Sequence, residues 1–142
     1  MIIRKLTMKD YDALIELWED AGLPYKPEGR DRRNDIKSQL NQPNTLYLVA
    51  VVGNRIVGSI LGTHDSRKGW INRLAVSPSH RRKGIAAKLV KEVEDRFSEL
   101  GIDIMACMVE DWNTVSLQVF EKLGYRQHPD IVYFSKRKNP EV

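Results

Sequence analysis

Residues 77–90 read SPSHRRKGIAAKLV and place three consecutive cations directly before an apolar helix. A helix N-terminus carries unpaired N–H groups and the positive end of the helix dipole, so cations there are unfavourable unless an anion is bound as well. Arg81–Lys83 would supply charge-assisted donors to such an anion. Gly84 and Ala86 have little or no side chain, which lets the backbone approach a phosphate closely. The stretch therefore predicts an anion cradle between a strand and a helix.

Two other interpretations of these cations remain open at this point. They can form a solvated turn without a ligand, or part of a nucleic-acid-binding patch. Stacking on nucleic-acid bases requires aromatic side chains among the cations, and residues 77–90 contain no Phe, Tyr or Trp. The Gly-Lys-Ser/Thr ending of the nucleotide-hydrolase phosphate loop is also absent. A small anionic molecule is thus the favoured ligand, and nucleic acid is not expected as a partner.

The composition is that of an ordinary globular protein. The chain has 142 residues, of which 42% are hydrophobic and 30% charged, which suits one domain spanning 1–142. The net charge of +4 suits an anionic ligand and is too small to require nucleic acid. A single cysteine excludes an internal disulfide and favours a reducing compartment. Because MIIRKLTMKD is not an apolar leader and no apolar run approaches about 20 residues, we expect a cytoplasmic protein without a membrane partner.

Hydrophobic periodicity and turn residues predict elements in the order β-α-α-β-β-β-α-β-α-β. A β-α-β crossover near residues 70–109 requires a parallel strand pair, so the predicted fold class is a mixed α/β sheet. The predicted helices follow Thr7 up to Gly22, span Asp31 to Leu40, run from Ile85 to Gly101, and span Thr114 to Leu123 up to Gly124. The predicted strands open at Ile2 and then cover Leu46 to Val52, Ile56 to Leu61, Trp70 to Val76, Ile102 to Val109 and Ile131 to Phe134.

Local signals support this assignment. Gly53-Asn54 between two apolar runs is typical of a type II′ hairpin, which makes the flanking strands antiparallel. Thr7 with Asp10 three residues later has the pattern of a helix capping box. The run Ile102 to Val109 is mostly apolar and predicts a strand buried on both faces. The strongest helix presents one apolar stripe, made of Ile85, Leu89, Val93, Phe97 and Leu100.

Two motifs resemble those of the GNAT N-acetyltransferase superfamily. Leu74-Ala75-Val76-Ser77-Pro78, then Arg81-x-x-Gly84-x-Ala86 and an amphipathic helix, resembles the family's acetyl-coenzyme A motif, Gln/Arg-x-x-Gly-x-Gly/Ala. Asn113-Thr114-Val115-Ser116-Leu117 and Phe120-Glu121-Lys122-Leu123-Gly124-Tyr125 resemble its Asn-x-x-Ala/Ser…Tyr-Glu-Lys-Leu-Gly-Phe segment. The motifs stand in the family's order, and the element order fits over nearly the whole chain. The resemblance implies the acyl-CoA N-acyltransferase fold, a mixed, mostly antiparallel central sheet with a splayed parallel strand pair and flanking helices.

The resemblance implies that the chain binds acetyl-CoA as a co-substrate and transfers the acetyl group directly to an amine. The backbone N–H groups from Arg82 to Ala87 would hold the pyrophosphate, and the strand backbone at Leu74 and Val76 would pair with the pantetheine arm. A bulge near Asn72 to Leu74 would splay this strand from the next one. Asn113 has a second interpretation as a plain helix cap. The implied coenzyme A contacts are Leu74, Ala75, Val76, Arg81, Arg82, Lys83, Gly84, Ile85, Ala86, Ala87, Asn113, Ser116 and Phe120.

The catalytic groups are less evident than the donor site. By the resemblance, many relatives carry a tyrosine at the position of Phe120, where it protonates the departing thiolate, and phenylalanine cannot donate a proton. Tyr125, Tyr133 or solvent would then take that role. Glu110 would draw the amine proton through a water, although Glu110 and Asp111 also fit as acids favoured at a helix N-terminus. The alternative function is a non-catalytic acetyl-CoA-binding sensor or interaction module.

The remaining reactive side chains give weaker signals. Cys107 lies in an apolar run and is expected to be an inert core thiol, with an acyl-enzyme nucleophile as the alternative. The three histidines lack metal-ligand spacing, so no metal is expected. His64 and Asp65 are expected on a loop that borders the acceptor, together with residues 20–35 and the loop near 126. Their mixed charges leave the amine open, either a small molecule or a protein, and a homodimer is possible in this fold.

Overall fold

A computed structural model describes all 142 residues of the chain. Its central sheet has five strands in the order β1-β2-β3-β4-β5. β1 to β4 pair antiparallel, whereas β4 and β5 pair in parallel. The predicted fold class, a mixed and mostly antiparallel sheet with flanking helices, is confirmed. The strands are β1 (Ile2–Lys5), β2 (Thr45–Val52), β3 (Arg55–His64), β4 (Gly69–Val76) and β5 (Met105–Cys107). The helices are α1 (Tyr11–Ala21), α2 (Arg33–Leu40), α3 (Ile85–Glu99) and α4 (Thr114–Lys122).

Two predicted local motifs are present at the first half of the sheet. Val52 pairs with Arg55, so the β2–β3 hairpin turns on Gly53 and Asn54. Gly53 takes φ +60° while Asn54 has no positive φ, which is the pattern of a type II′ turn. Before α1, the Thr7 N–H donates to Asp10 Oδ2 at 2.9 Å, which closes the capping box.

Three predicted helix stops share one structure. Gly22, Gly101 and Gly124 take φ of +73°, +81° and +91°, a region that side-chain-bearing residues rarely adopt. After each glycine, the next N–H donates back to the carbonyl that opens the last helical turn, which is the Schellman motif. These bonds run from Leu23 to Trp18, from Ile102 to Phe97, and from Tyr125 to Phe120.

The Schellman motif corrects one prediction about the α3 stripe. Leu100 is 64% exposed, whereas Ile102 is 3% exposed. The helix ends at Glu99, and Gly101 reverses the chain so that Ile102 packs with Phe97 in the core. Placing Leu100 in the buried stripe is therefore wrong, because the helical period does not continue through the turn.

Helices cover both faces of the sheet and form two cores. α1 and α2 pack on one face, where Leu14, Trp18 and Ile36 are at most 2% exposed. α3 and α4 pack on the other face, where Leu89 and Val93 are fully buried. Burial of one such side chain contributes about 1.5–3 kcal/mol, so these contacts hold the helices to the sheet.

Glycines in β3 let α3 lie close to the sheet. A Cβ on Gly62 would stand 2.6 Å from Val93 Cγ1, and a Cβ on Gly58 would stand 3.1 Å from Ile85 Cγ2. Gly58 pairs with Val76, the last residue of β4. The first residue of α3 is thereby seated beside the end of β4, which is where the sequence predicts the anion cradle.

Of two strand predictions at the far edge of the sheet, the first is wrong in length and burial, and the second is wrong altogether. β5 covers only Met105–Cys107, and its residues are half-buried rather than buried on both faces. Residues 131–134 form no strand, and their side chains are 66–88% exposed. A β-rich sequence forms a strand only where a neighbouring edge supplies its hydrogen bonds and packing. Because no segment pairs with its outer side, β5 is the edge strand of the sheet.

The longest helix, α3, has 15 residues and one apolar face. None of the helices is long and apolar enough to cross a membrane.

Candidate active site

The parallel strands β4 and β5 pair for three residues and then separate. Gly69–Ile71 pair with Met105–Cys107, and no later residue of β4 has a partner in β5. β4 continues to Val76, so its outer backbone groups from Asn72 onward face an open wedge. The wedge opens at the carboxyl ends of the parallel strands, where open α/β sheets bind ligands. The splayed strand pair implied by the resemblance is confirmed.

A bulge in β4 lies where the wedge begins. Opposite one residue of β3, Ile60, β4 has two residues, Arg73 and Leu74. Arg73 takes φ +54°, in the left-handed region. An extra residue bends the strand and increases its twist, which turns β4 away from β5. The predicted position of the bulge is confirmed.

Buried side chains hold this bulge in place. Ser59 Oγ donates to the Arg73 carbonyl at 2.8 Å, and Trp18 Nε1 donates to Ser59 Oγ at 3.1 Å. Trp18 and Ser59 are fully buried. Loss of either partner would leave a buried polar group unsatisfied, so these hydrogen bonds stabilise the bulge beside the wedge.

After β4, the chain makes a turn and enters α3, whose N-terminus is not capped by a side chain. Arg82 and Gly84 take φ of +63° and +77°, and α3 begins at Ile85. No side chain caps α3, and its first turn contains no acidic residue. The first helical bond runs from the Lys88 N–H to the Gly84 carbonyl, so the N–H groups of the three residues between them have no acceptor in the chain. A Cβ on Gly84 would meet no atom within 4 Å, so the space before the helix is open.

The three cations of this turn have different partners. Arg82 and Lys83 are exposed, and none of the six ion pairs of the chain includes them. Arg81 instead points Nη2 at the Ala21 carbonyl and Nε at the Val76 carbonyl, both at 3.3 Å. Ala21 is the last residue of α1, where the helix dipole favours a cation. Arg81 therefore links the turn to the end of α1. Arg82 and Lys83 have no ion-pair partner in the chain and are available to bind an anion.

The residues of the second motif lie at the same edge of the sheet. Asn113 caps α4, because its Oδ1 accepts from the Ser116 N–H at 3.2 Å. The helix-cap interpretation of Asn113 is thus confirmed, and its side-chain N–H₂ has no partner in the chain. β5 is parallel to β4, so the loop from β5 to α4 follows the same carboxyl edge as the cradle.

Phe120 and Tyr125 form a packed aromatic pair under α3. Phe120 is 7% exposed, and its ring centroid lies 5.1 Å from that of Tyr125, edge to face. The Tyr125 hydroxyl donates to Glu94 Oε2 at 2.8 Å. Burial, followed by this hydrogen bond, raises the pKa of Tyr125 well above its ordinary value. Tyr125 is therefore a weak proton donor. Tyr133, the other tyrosine considered for this role, is exposed and lies outside any strand.

The carboxylates of Glu110 and Asp111 are exposed and make no hydrogen bond or ion pair with the chain. Glu110 contributes only its backbone carbonyl, which accepts from the Asn113 N–H at 3.0 Å. The loop between β5 and α4 thus presents free carboxylates at the edge where the wedge opens.

His64 and Asp65 lie at the opposite end of β4 from the cradle. His64 pairs with Gly69, next to the closed part of the β4–β5 pair, and its ring packs edge to face on Phe97 at 5.1 Å. Asp65 accepts from the Arg67 and Lys68 N–H groups within the hairpin, which lowers the pKa of Asp65. The structure places these two residues away from the open part of the wedge, and their contact with an acceptor stays a prediction.

Cys107 ends β5 as a half-buried thiol packed against the α3 core. Burial raises the pKa of Cys107 to about 11. Such a thiol is a poor nucleophile at neutral pH, which agrees with the inert assignment.

Sequence reasoning missed one pair beside the wedge. Asp31 is 5% exposed and forms an ion pair with Arg73 Nη2 at 2.8 Å. The two residues are 42 positions apart, and the surrounding sequences are rich in mixed charges, so no local pattern distinguishes them. The pair places the loop between α1 and α2 next to the bulge, and the expectation that residues 20–35 border the acceptor stays a prediction.

Known proteins share this arrangement. The profile of the Acetyltransferase (GNAT) family matches residues 11–125. The chain is 34% identical over 137 residues to Acetyltransferase SG1711 of Sodalis glossinidius (strain morsitans), with 96% of this chain and 95% of that protein covered. The solved structure of aminoglycoside antibiotic 6'-N-acetyltransferase AAC(6')-IG from Acinetobacter haemolyticus has a TM-score of 0.80 at 19% identity, over 98% of this chain and 100% of the other. The paia N-acetyltransferase of Thermoplasma acidophilum, solved in complex with coenzyme A, has a TM-score of 0.77 at 24% identity, over 88% and 89%.

The solved structures agree with the fold, and the family match extends from the first residue of α1 to Tyr125. It therefore includes the wedge, the cradle and α4. The resemblance seen in the two sequence motifs is confirmed, and the chain belongs to the GNAT acetyltransferase family.

Proposed function

We propose that this protein transfers the acetyl group of acetyl-CoA to a primary amine by direct attack in a ternary complex. The observation that carries the proposal is the open edge of β4 directly beside the uncapped start of α3. One extended ligand with a phosphate end fits both features. Support also comes from the relatives, one of which is named for N-acetylation of an aminoglycoside while another was solved with coenzyme A.

On the donor side, the free N–H groups of Ile85 to Ala87 would hold the pyrophosphate, and Arg82 and Lys83 would add charge-assisted bonds. The backbone of Leu74 and Val76 would pair with the pantetheine arm as a strand pairs with an extended peptide. Phe120 would form the wall of the thioester pocket. Holding the thioester and the amine together in the wedge supplies much of the rate, because correct orientation replaces a bimolecular encounter.

Glu110 is the proposed base for the amine, acting through a water. Its carboxylate is exposed and has no competing partner in the chain. A general base contributes about 10²- to 10⁴-fold, so Glu110→Gln is expected to lower kcat by at least about 10²-fold. Acetyl-CoA affinity should stay unchanged, which isothermal titration calorimetry measures. Asp111→Asn is the matched control, and an equal loss in both variants would contradict the assignment.

The departing thiolate needs a proton, and Phe120 cannot provide it. Tyr125 would have to exchange Glu94 for the thiolate before donating, and its raised pKa opposes that transfer. A thiol with a pKa of about 8.5 is already a fair leaving group, so solvent is a sufficient proton source. We therefore propose solvent first and Tyr125 second.

A non-catalytic acetyl-CoA-binding sensor is the second candidate. The observation that favours it is the pair formed by Phe120 and a Tyr125 whose hydroxyl is bound to Glu94. Such a protein would keep the donor site and lack turnover. Under either candidate, the acceptor class, a homodimer, the one-domain organisation and the cytoplasmic location stay predictions.

Two measurements separate these functions. Acetyl-CoA at 100 times its Kd should stabilise the fold by about 2.7 kcal/mol, seen as a rise in melting temperature. Release of free thiol is then followed with a panel of amines, namely sisomicin, spermidine, a lysine-containing peptide and a peptide with a free N-terminus. Stabilisation with turnover supports the transferase, and stabilisation without turnover supports the sensor. Without stabilisation by acetyl-CoA or coenzyme A, both fail, and salt-dependent binding to DNA or RNA would support a nucleic-acid-binding protein.

A further inference from the structure

Arg73 is an unusual residue to find at the bulge of β4. Its φ of +54° is in the region that glycine adopts without strain, and a glycine there would form the same bulge more easily. Its side chain is 14% exposed although arginine is normally a surface residue. The backbone position does not call for arginine, so the guanidinium must explain its presence.

The guanidinium holds both ends of the loop between α1 and α2. Nη1 donates to the Pro24 carbonyl at 2.6 Å, near the start of that loop. Nη2 donates to Asp31 Oδ1 and Oδ2 at 3.0 and 2.8 Å, near its end. The guanidinium carbon also lies 4.8 Å from the Trp18 ring centroid, in a cation–π contact.

Asp31 in turn organises the loop from inside. Its Oδ2 accepts from the Lys26 N–H at 2.7 Å, and its backbone carbonyl accepts from the Tyr11 hydroxyl at 2.7 Å. Removing one partner of a buried ion pair leaves the other charge uncompensated. Arg73 therefore stabilises the shape of this loop.

Arg73 also lies at the start of the wedge. The Arg73 carbonyl is fixed by Ser59, and the next residue is Leu74, whose outer backbone groups face the open wedge. A ligand that pairs with Leu74 would add to this restraint on the backbone from which the guanidinium extends. The peptide bond from Leu74 to Arg73 and the hydrogen bonds of the guanidinium to Pro24 and Asp31 then connect that ligand to residues 23–32.

We infer that the Arg73–Asp31 pair couples the two halves of the site, so that filling the wedge with the acetyl thioester orders the 23–32 loop to receive the amine. Arg73 and Asp31 are positioning residues in this account, because neither touches the reacting atoms. The inference rests on the proposed function, since it takes the wedge to be the thioester site.

Hydrogen exchange with and without acetyl-CoA tests the coupling directly. In the unmodified protein, acetyl-CoA should slow amide exchange at 82–87 and also, by about threefold or more, at 23–32. The double variant Arg73→Gly with Asp31→Asn keeps the bulge, relieves its strain and leaves no buried charge. It should retain the slowing at 82–87 and lose it at 23–32. Arg96→Gln, which breaks the half-exposed pair with Glu92 on α3, is the matched control and should retain both.

The outcomes separate this inference from the proposed function. Slowing at 82–87 without slowing at 23–32 in the unmodified protein overturns the coupling alone. A loop response that survives in the double variant also overturns it. No slowing anywhere removes the donor site and the coupling together.

Steady-state kinetics give a second readout with whichever amine of the panel reacts. The double variant should lower kcat/KM for the amine by about 10²-fold, the effect of a misplacement near 1 Å, while acetyl-CoA affinity changes less than about threefold. Arg73→Lys, which keeps the charge but not the fork of donors, should recover part of the loss. An unchanged kcat/KM with a lowered melting temperature would make the pair purely structural. Hydrogen exchange decides the matter if no amine of the panel reacts.

Discussion

At the scale of single residues, the Tyr125 hydroxyl is bound to Glu94 in the resting protein, so its two candidate roles predict different mutant behaviour. Tyr125→Phe removes this hydrogen bond and keeps the packing on Phe120. We expect the free energy of unfolding to fall by about 1 kcal/mol. We expect kcat to stay within about threefold, against the ~10²- to 10⁴-fold contribution of a general acid. Urea denaturation and thiol-release kinetics measure the two quantities.

The control for Tyr125→Phe is Tyr133→Phe, which changes an exposed ring and should alter neither quantity. A fall of kcat by about 30-fold or more in Tyr125→Phe alone would make Tyr125 the acid, since a structural role does not reach that size.

Cys107 provides a second test at this scale. Burial raises its pKa from 9.0 to about 11, and only the thiolate reacts with alkylating agents. Alkylation by iodoacetamide at pH 7.5 should therefore be about 100-fold slower than for the urea-unfolded chain, as followed by mass spectrometry. The folded-state pKa is the higher one, so the thiol's contribution to stability is complete below pH 9 and is lost as the pH rises from 9 to 11.

An acyl-enzyme route through Cys107 would give a different result. Acetyl-CoA alone would then release one equivalent of thiol, and Cys107→Ala would abolish turnover. We expect no such release and an unchanged kcat in Cys107→Ala, because the proposed function has the amine attack the thioester directly.

At the scale of elements, a substitution at the start of α3 tests whether binding depends on the open space beside Gly84 or on the backbone conformation of this glycine. Gly84→Glu puts a side chain and a negative charge into the open space before the helix, where the proposed pyrophosphate lies. Acetyl-CoA binding should become undetectable by calorimetry, because like charges would meet at a helix N-terminus. The same substitution at Gly53 is the matched control, since Gly53 also has a positive φ and no neighbour within 4 Å of a Cβ. Retained affinity in Gly84→Glu would move the phosphate site elsewhere.

At the scale of the whole molecule, one edge of the sheet is an unpaired strand. β5 has no strand on its outer side, and the apolar segment 131–134 is exposed within the same chain. An open strand edge and an unpaired β-rich segment have complementary hydrogen-bonding groups. Two copies related by a two-fold axis can therefore pair β5 of one copy with residues 131–134 of the other. We predict a homodimer through this edge, measured by sedimentation velocity over a range of concentrations. Val132→Lys should shift the protein to monomer, whereas Val52→Lys, at the β2–β3 turn, should not; a chain that is monomeric at all concentrations contradicts the prediction.

Much of the architecture was predictable from local sequence. The glycines that end α1, α3 and α4 were predictable because a positive φ is costly for other residues, and the hairpin at Gly53 because its turn type needs glycine at that point. The uncapped start of α3 lies where the sequence places the anion cradle, and binding of an anion there stays a prediction. The position of the bulge came from the family resemblance rather than from the residues themselves.

The sequence by itself thus determined most of the helices and strands and the glycines that end three of the helices, because each depends on residues a few positions apart. Only the tertiary structure decided which distant groups meet. It placed Arg81 against Ala21, 60 positions away, and Arg73 against Asp31, 42 positions away. It also left 131–134 without a strand, although their side chains favour one. Ion pairs and strand pairs depend on which segments the folded chain brings together, and no local pattern encodes that choice.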